Sequence, residues 1–456
     1  MSFFTRLPRW LALWIFLFVA VFGIGDAVHA EGNAEGEADL MPDFDLFFQS
    51  YFYLANDSDF DRTEPIYEKN GQSVGYMLTT FRPGLTWTPM NNITLRYQLE
   101  IGDNVWSRND LDGQDPNSQN TAVVRHKLVW GEVLTPGGHF GIKTGYQYFH
   151  DPTHLVIDRH MGLAQTFWQW SAARLSFAAG QVPDTVYEGF AATSDGDQTE
   201  QNNFEQDDYI FALWLDWTCP KGWRLSPGTF FRWDKTEIGR PKGILSAVFN
   251  AHGGIGPRTR LDFDLVGQYG QYKNGGLDNR DVDYLAASAQ LGARFDIRPV
   301  FLRYNALVFT ADDGDKHDQY NTGFHYSGLS KSKTMVMSLN WMHDQYDNLD
   351  ERAAAQGAGL ALFDQEASLA LAESVKLITI IGVGMTLDGT HTNDSTYLGT
   401  EAHAGVEWAM YDQHVAFTLL GGGLMPGKAA AVLKNKIDLD ATESMGVAQA
   451  AMNVQF

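Results

Sequence analysis

The sequence predicts an all-β chain, a transmembrane antiparallel up-and-down β-barrel of about 18–20 strands, and three observations carry that expectation. From Ala448 to Phe456, the residues Ala448, Ala450, Met452, Val454 and Phe456 alternate with Gln449, Ala451, Asn453 and Gln455, so the sequence finishes in mid-strand on an aromatic residue. A strand in lipid must pair on both sides, and only a closed barrel leaves no open edge. Near the other end, Arg6 and Arg9 precede an apolar run from Trp10 to Ile24 and then Val28-His29-Ala30, the pattern of a secretory signal peptide cut before Glu31. Beyond it no apolar stretch reaches the ~18 to 20 residues a spanning helix needs; the longest, Leu377 to Leu387, is interrupted by glycine and threonine. An exported chain of this kind is expected in the outer membrane of a Gram-negative bacterium.

Three regions follow. Residues 1–30 read as the signal peptide, 31–43 as a periplasmic lead-in carrying five acidic residues, and 44–456 as the barrel. Within the barrel the period is two. Ile93, Leu95, Tyr97, Leu99 and Ile101 alternate with Thr94, Arg96, Gln98 and Glu100, which gives a strand one apolar and one polar face. Phe140, Ile142, Tyr146 and Tyr148 repeat this against Gly141, Lys143, Gly145 and Gln147; Leu261, Phe263, Leu265 and Tyr269 do so against Arg260, Asp262, Asp264 and Gln268. Val300, Leu302, Tyr304 and Val308 alternate more weakly with Phe301, Arg303, Asn305 and Leu307. In an outer membrane the apolar face meets lipid and the polar face lines a wet lumen.

Connections come in two lengths. Short turns are expected at Pro89 to Asn92, Thr135 to Gly138, Cys219 to Gly222, Gly253 to Pro257, Asp296 to Pro299, Glu373-Ser374 and Tyr411 to Gln413. Long polar segments lie between them: Ala55 to Ser73, Asp103 to Asn120, Tyr187 to Asp208, Asn274 to Asp281, Ala311 to Asp318, Asp344 to Gly357 and Leu387 to Thr396. Short turns belong on the periplasmic side and long loops outside. This walk favours about 20 strands, falling to 18 if the weak segments Tyr320 to Leu329 and Ile244 to His252 are not strands.

Charge is distributed unevenly over this plan. The total is -23, and removing Arg6, Arg9 and Asp26 with the signal peptide takes away +1 to leave -24, which argues against nucleic acid as a partner. Yet the lumen phase is rich in bases: Arg82, Arg96, Arg125, Lys127, Lys143, Arg174, Arg232, Arg258, Arg260, Arg294 and Arg303, set against acids such as Glu100, Asp262 and Asp264. These are the expected pore-lining residues. Acids crowd the loops instead, as at Asp103, Asp110, Asp112 and Asp115, or Asp312, Asp313, Asp315 and Asp318. Lining charges of one sign select permeants of the other; the plainer alternative is that the charges pair across the lumen and stiffen the wall.

A family resemblance rests on Asp283-Tyr284-Leu285-Ala286-Ala287, on Ala311-Asp312-Asp313-Gly314-Asp315 after the next hairpin, and on Gly180-Gln181. These segments resemble the alginate-export family of outer-membrane barrels, which implies a monomeric 18-stranded barrel with an arginine-rich lumen passing a polyuronate. Met452, Val454 and Phe456 also resemble the signal by which the barrel-assembly machinery recognises its clients.

Other chemistry finds little footing. Cys219 is the single cysteine, so no intramolecular disulfide forms. The run HDPTHLVIDRH, with His150, His154, His160, Asp151 and Asp158, offers metal-ligand chemistry at a spacing that matches no zinc motif, so it reads as a solvated, polar extracellular loop. Asp312 to Asp318 lacks the spacing and final glutamate of an EF-hand loop, so it reads as a solvated loop facing lipopolysaccharide. No G-x-S-x-G elbow or haem-attachment motif occurs, and no cofactor or metal is expected. The expected function is a channel for hydrophilic solutes, anion-favouring, extending to export of an anionic polysaccharide. The alternatives are a structural sleeve for a periplasmic electron-transfer or secretion partner and, behind it, an outer-membrane hydrolase.

Overall fold

In a computed structural model the described residues are 41–56, 74–106, 123–182, 208–234, 242–273, 280–313, 320–324, 331–334, 337, 349, 353–354, 357–433 and 444–456. The expected signal peptide and nearly all of the 31–43 lead-in lie outside them. Eighteen long strands follow in order: β1 (Asp43–Asn56), β2 (Val74–Met90), β3 (Ile93–Trp106), β4 (Val123–Leu134), β5 (Phe140–His150), β6 (Asp158–Gln169), β7 (Ala173–Val182), β8 (Asp208–Thr218), β9 (Arg224–Asp234), β10 (Lys242–Gly254), β11 (Thr259–Tyr272), β12 (Val282–Ile297), β13 (Val300–Phe309), β14 (Leu360–Ala370), β15 (Val375–Met385), β16 (Tyr397–Met410), β17 (Val415–Pro426) and β18 (Met445–Gln455).

Each strand pairs antiparallel with its successor, and β18 returns to β1, which closes the sheet. At the seam the Leu46 N–H donates to the Phe456 carbonyl at 2.9 Å, and the Phe456 N–H donates to the Leu46 carbonyl at 2.9 Å. Met452, Val454 and Phe456 fall on the outward face, as the alternation requires.

The pleat sorts the side chains as expected. On β11, Leu265 and Tyr269 are exposed outward, whereas Asp264 is 1% and Gln268 2% exposed inward. Leu213, Leu285, Leu291, Ile381 and Leu419 continue the outward apolar belt. Leaving such side chains in water forgoes about 1.5–3 kcal/mol each, so this surface is stable only in lipid. No described helix is long and apolar enough to cross a membrane.

Eighteen strands, not 20, correct the favoured count. Of the expected strand Tyr320 to Leu329 only 320–324 are among the described residues, and there Tyr320–Asn321 form a two-residue bridge lying parallel to β12. One connection therefore runs from β13 to β14 where a further hairpin was expected. The doubtful segment Ile244 to His252 is a full strand inside β10, paired with β9 and β11. A short turn at 170–172, between β6 and β7, escaped the sequence reading.

Two segments fold into the barrel. β4 pairs with β5 only over Val129–Leu134, and beyond Tyr146, next to Gly145, the two strands part. Gly145 has φ +128, and a Cβ there would strike the Val129 carbonyl, so the departure needs glycine. The hairpin tip beyond it is buried: Leu155, Val156 and Ile157 are at most 5% exposed. Asp151, fully buried, holds the tip by accepting N–H bonds from Thr153 (2.8 Å), Val156 (2.9 Å) and Ile157 (2.9 Å). The run HDPTHLVIDRH is thus an inward-turned hairpin, correcting its reading as a solvated external loop. The second segment is Lys331–Thr334, from the β13–β14 connection. With Phe324, Met337 and a short helix α1 (Lys428–Leu433), these pieces meet Tyr51, Phe149, Phe230 and Leu307 in one apolar cluster. That cluster fills the lumen toward the long-connection end, here called the loop end; the opposite end is the turn end.

Candidate functional site

Below the apolar cluster lies a polar cavity of about 890 Å³, bounded by the inward faces of β5 to β14, the β5–β6 hairpin and Lys331–Lys333. Seven basic side chains line it, namely Lys143, Arg174, Arg224, Arg294, Arg303, Lys331 and Lys333, against the four acids Asp158, Asp216, Asp262 and Glu366. Phe149, Trp214 and Phe301 supply apolar patches.

The strands bring the arginines into a row. In the pairing register Arg260 of β11 faces Arg294 of β12, and Arg294 faces Arg303 of β13, which in turn faces Glu366 of β14. Like charges directly opposite across a sheet destabilise it, so the row is held at a cost to stability. Arg303 is anchored: it donates to the Lys331 carbonyl and lies 3.8 Å from Glu366. Among the described residues Lys143, Arg174, Arg260 and Arg294 have no carboxylate within 4.0 Å. Lys143 sits 3.9 Å from the Trp130 ring and Arg174 3.7 Å from that of Phe167, contacts that aim each cation without neutralising it.

Several expected lining residues serve the wall instead. Arg96 donates to Asp45 and Thr86, each at 2.8 Å, and Arg232 donates to Asp208 at 2.6 Å. Glu100 is 1% exposed and gathers three cations, with Arg82 bonded to it, Arg125 at 2.5 Å and Lys127 at 3.1 Å. Asp264, also 1% exposed, lies beneath Lys331 at 2.5 Å and does not face the cavity, whereas Asp262 lines it and receives the same lysine at 2.9 Å. Arg258 is a clear correction: it lies in the β10–β11 turn, where the strand alternation has ended, and its carbonyl accepts the Asp296 N–H at 2.8 Å.

Lys331 and Lys333 were missed. In sequence they follow the expected strand Tyr320 to Leu329 and lie on none of the polar strand faces read from the alternation, and only the inward fold of their segment brings them to the cavity. The Lys333 N–H donates to Asp364 at 3.3 Å, and the Met337 N–H to Glu401 at 3.0 Å. Burial, with Arg303 and Arg294 nearby, pushes the Lys333 ammonium below the usual lysine range. Among the described residues no three His, Cys, Asp or Glu side chains meet in a metal-binding group. His154 instead bonds Asp158 at 2.6 Å and stacks on His150.

No protein-family model matches the sequence, and no curated protein is similar to it in sequence. The alginate-export resemblance is therefore unsupported, and the structural likeness lies elsewhere. The fold is similar to OccAB3 of Acinetobacter baumannii (TM-score 0.57, 8% identity, covering 91% of this chain and 99% of that one) and to OccAB1 of the same organism (TM-score 0.57, 9% identity, 93% and 99%). It is also similar to the outer membrane protein OpdK of Pseudomonas aeruginosa (TM-score 0.56, 9% identity, 91% and 98%), whose structure has also been solved with vanillate. At such identities the likeness speaks to fold alone: a closed antiparallel β-barrel of eighteen strands. With the lipid-facing belt, it places the chain in the outer membrane of a Gram-negative bacterium.

Proposed function

We propose that the chain is a passive, non-enzymatic outer-membrane channel favouring small organic anions. The row Arg260–Arg294–Arg303 carries this reading, because three like charges in register cost the sheet stability, and attraction of a permeant anion is a use that accounts for keeping them. Guanidinium groups suit carboxylates: they stay charged and offer paired donors in a planar fork. A single contact in a wet pore is worth about 1 kcal/mol or less, weak enough for release. Phe149, Trp214 and Phe301 beside the cations suit an anion with an apolar or aromatic body, in keeping with the vanillate bound by OpdK.

A cavity of about 890 Å³ is matched to a solute, not to an inserted protein. That weighs against the sleeve reading. The apolar cluster across the loop end likewise favours small anions over export of a polysaccharide. Reversal potentials under a salt gradient in planar bilayers test the proposal: anion selectivity is expected, and cation selectivity overturns it.

A further inference from the structure

Among the described residues β4 joins β5 over six residues only, Val129–Leu134 against Gly141–Tyr146, the shortest junction between neighbouring long strands. A tilted strand needs ~9–11 residues to cross the hydrocarbon. The shortfall of ~3–5 residues, at ~3.3 Å each, leaves a gap on the order of 10 Å in the loop-end half of the wall. Beside it Val123–Leu128 of β4 pair with β3 alone among the described residues, and Gln147–His150 of β5 with β6 alone. An unpaired edge is tolerated at that depth only beside water or protein. The main cavity supplies the water, because Tyr148 and His150 line it and Tyr148 is 44% exposed. The His160 ring lies 5.3 Å from that of Tyr148 and interacts with Lys127 of β4, so this face of the hairpin looks across the gap at β4.

On the lipid face an apolar groove of about 420 Å³ is lined by Leu85, Trp87, Leu95, Tyr97 and Val129. In register Leu85, Tyr97, Val129 and Tyr146 form one row across β2 to β5. Tyr146 is the last residue of β5 paired to β4, so the loop-end edge of the groove meets the gap. Gly131 keeps the groove open, since a Cβ there would come within 3.2 Å of the Leu95 side chain. Trp130 also lines the groove, and on the lumen side its ring lies 3.9 Å from Lys143, a cavity cation with no carboxylate within 4.0 Å among the described residues.

We propose that the channel also takes amphipathic carboxylates by a lateral route, with the carboxylate at Lys143 in the cavity and the alkyl tail passing between β4 and β5 into the groove. This rests on the anion-cavity reading above. The apolar cluster obstructs the axial path at the loop end, whereas the side path keeps the tail in apolar surroundings and the head in water throughout. Moving an amphiphile through a barrel wall requires that separation, because either end in the other's medium is costly.

The test places the full chain in planar bilayers and reads block of single-channel chloride current by butyrate, dodecanoate and dodecanol. Each methylene taken from water is worth about fourfold, so dodecanoate should block at a concentration at least about tenfold below that of butyrate, and dodecanol should not block. Gly131→Leu, or Thr144→Leu on the far side of the groove, should return dodecanoate to the level of butyrate without changing the chloride current. Lys143→Gln should weaken block by both acids. Anion-selective reversal potentials with dodecanoate no stronger than butyrate overturn the lateral route alone; cation selectivity overturns the cavity reading and this one with it. Equal block by dodecanol, or block by dodecanoate that ignores Lys143→Gln or both groove variants, assigns the groove to bilayer lipid and also overturns the proposal. Heat-modifiable mobility of each variant separates a folding defect from a lost site.

Discussion

Replacing Arg294 by glutamate probes the proposed selectivity most directly. It changes the charge facing the cavity by two units at the middle of the row. For a monovalent anion passing ~6 Å away, Coulomb's law in water gives about 1.4 kcal/mol. The ~10 Å Debye length at 0.1 M salt lowers this to about 0.8 kcal/mol, a roughly fourfold fall in anion permeability. At 1 M salt, with a Debye length of ~3 Å, the effect shrinks below about 1.5-fold. The new carboxylate would stand between Arg260 and Arg303 in register, converting two repulsions into attractions, so the barrel should assemble normally. The assay is the reversal potential of single channels at both salt concentrations. No move toward cations at 0.1 M, or a move of equal size at 1 M, would refute the reasoning and leave the arginines as wall structure.

Other outcomes are expected. Deleting Phe456 removes two backbone bonds to Leu46 and a lipid-facing ring, so the heat-modifiable barrel in outer-membrane fractions should fall; unchanged levels would count against an assembly role. Lys331→Ala strips Asp262 and Asp264 of their shared cation and should loosen the inward segment, raising single-channel conductance; unaltered conductance would show that the pin is dispensable. Lys333 loses its proton at lower pH than an ordinary lysine, so anion preference should begin to decline below the usual lysine range near pH ~10, while the arginines hold theirs; Lys333→Arg should abolish that decline. An epitope inserted between Gly196 and Glu200, outside the described residues, should be labelled by antibody on intact cells, because that connection lies opposite the short turns; labelling only after permeabilisation would reverse the assigned topology.

The parts of this molecule that sequence conveys are those decided by two-residue periodicity. β3, β11 and β18 were legible because lipid imposes apolar residues on one face and water polar ones on the other. β10 was doubtful for a physical reason: Val248 joins the apolar cluster and Ile244 is buried on the same inward face, while Leu245 is exposed outward, so both faces are apolar and the alternation disappears. The higher strand count comes from the β13–β14 connection, where Tyr320 to Leu329 alternates like a strand but its described part, 320–324, forms only the Tyr320–Asn321 bridge. Of the site, Arg294 and Arg303 were readable from phase alone. Lys331 and Lys333 were not, since a connection of about 50 residues brings them inward and no local pattern encodes that return. Arg258 failed in the other sense, its parity continuing past the end of the strand that gave parity meaning.

The seam between β1 and β18 has a consequence for the order in which the barrel can be made. Every other long-strand junction joins neighbours in sequence, closed across a turn or one connection, whereas the seam joins Leu46 to Phe456. The inner sixteen strands can therefore zip up in sequence, but the outer edge of β1 finds its partner only when β18 arrives. Until then that edge presents a row of unmatched amides to a bilayer that cannot hydrate them. A growing barrel of this topology thus needs a surrogate strand against β1, and closure amounts to an exchange in which β18 displaces it.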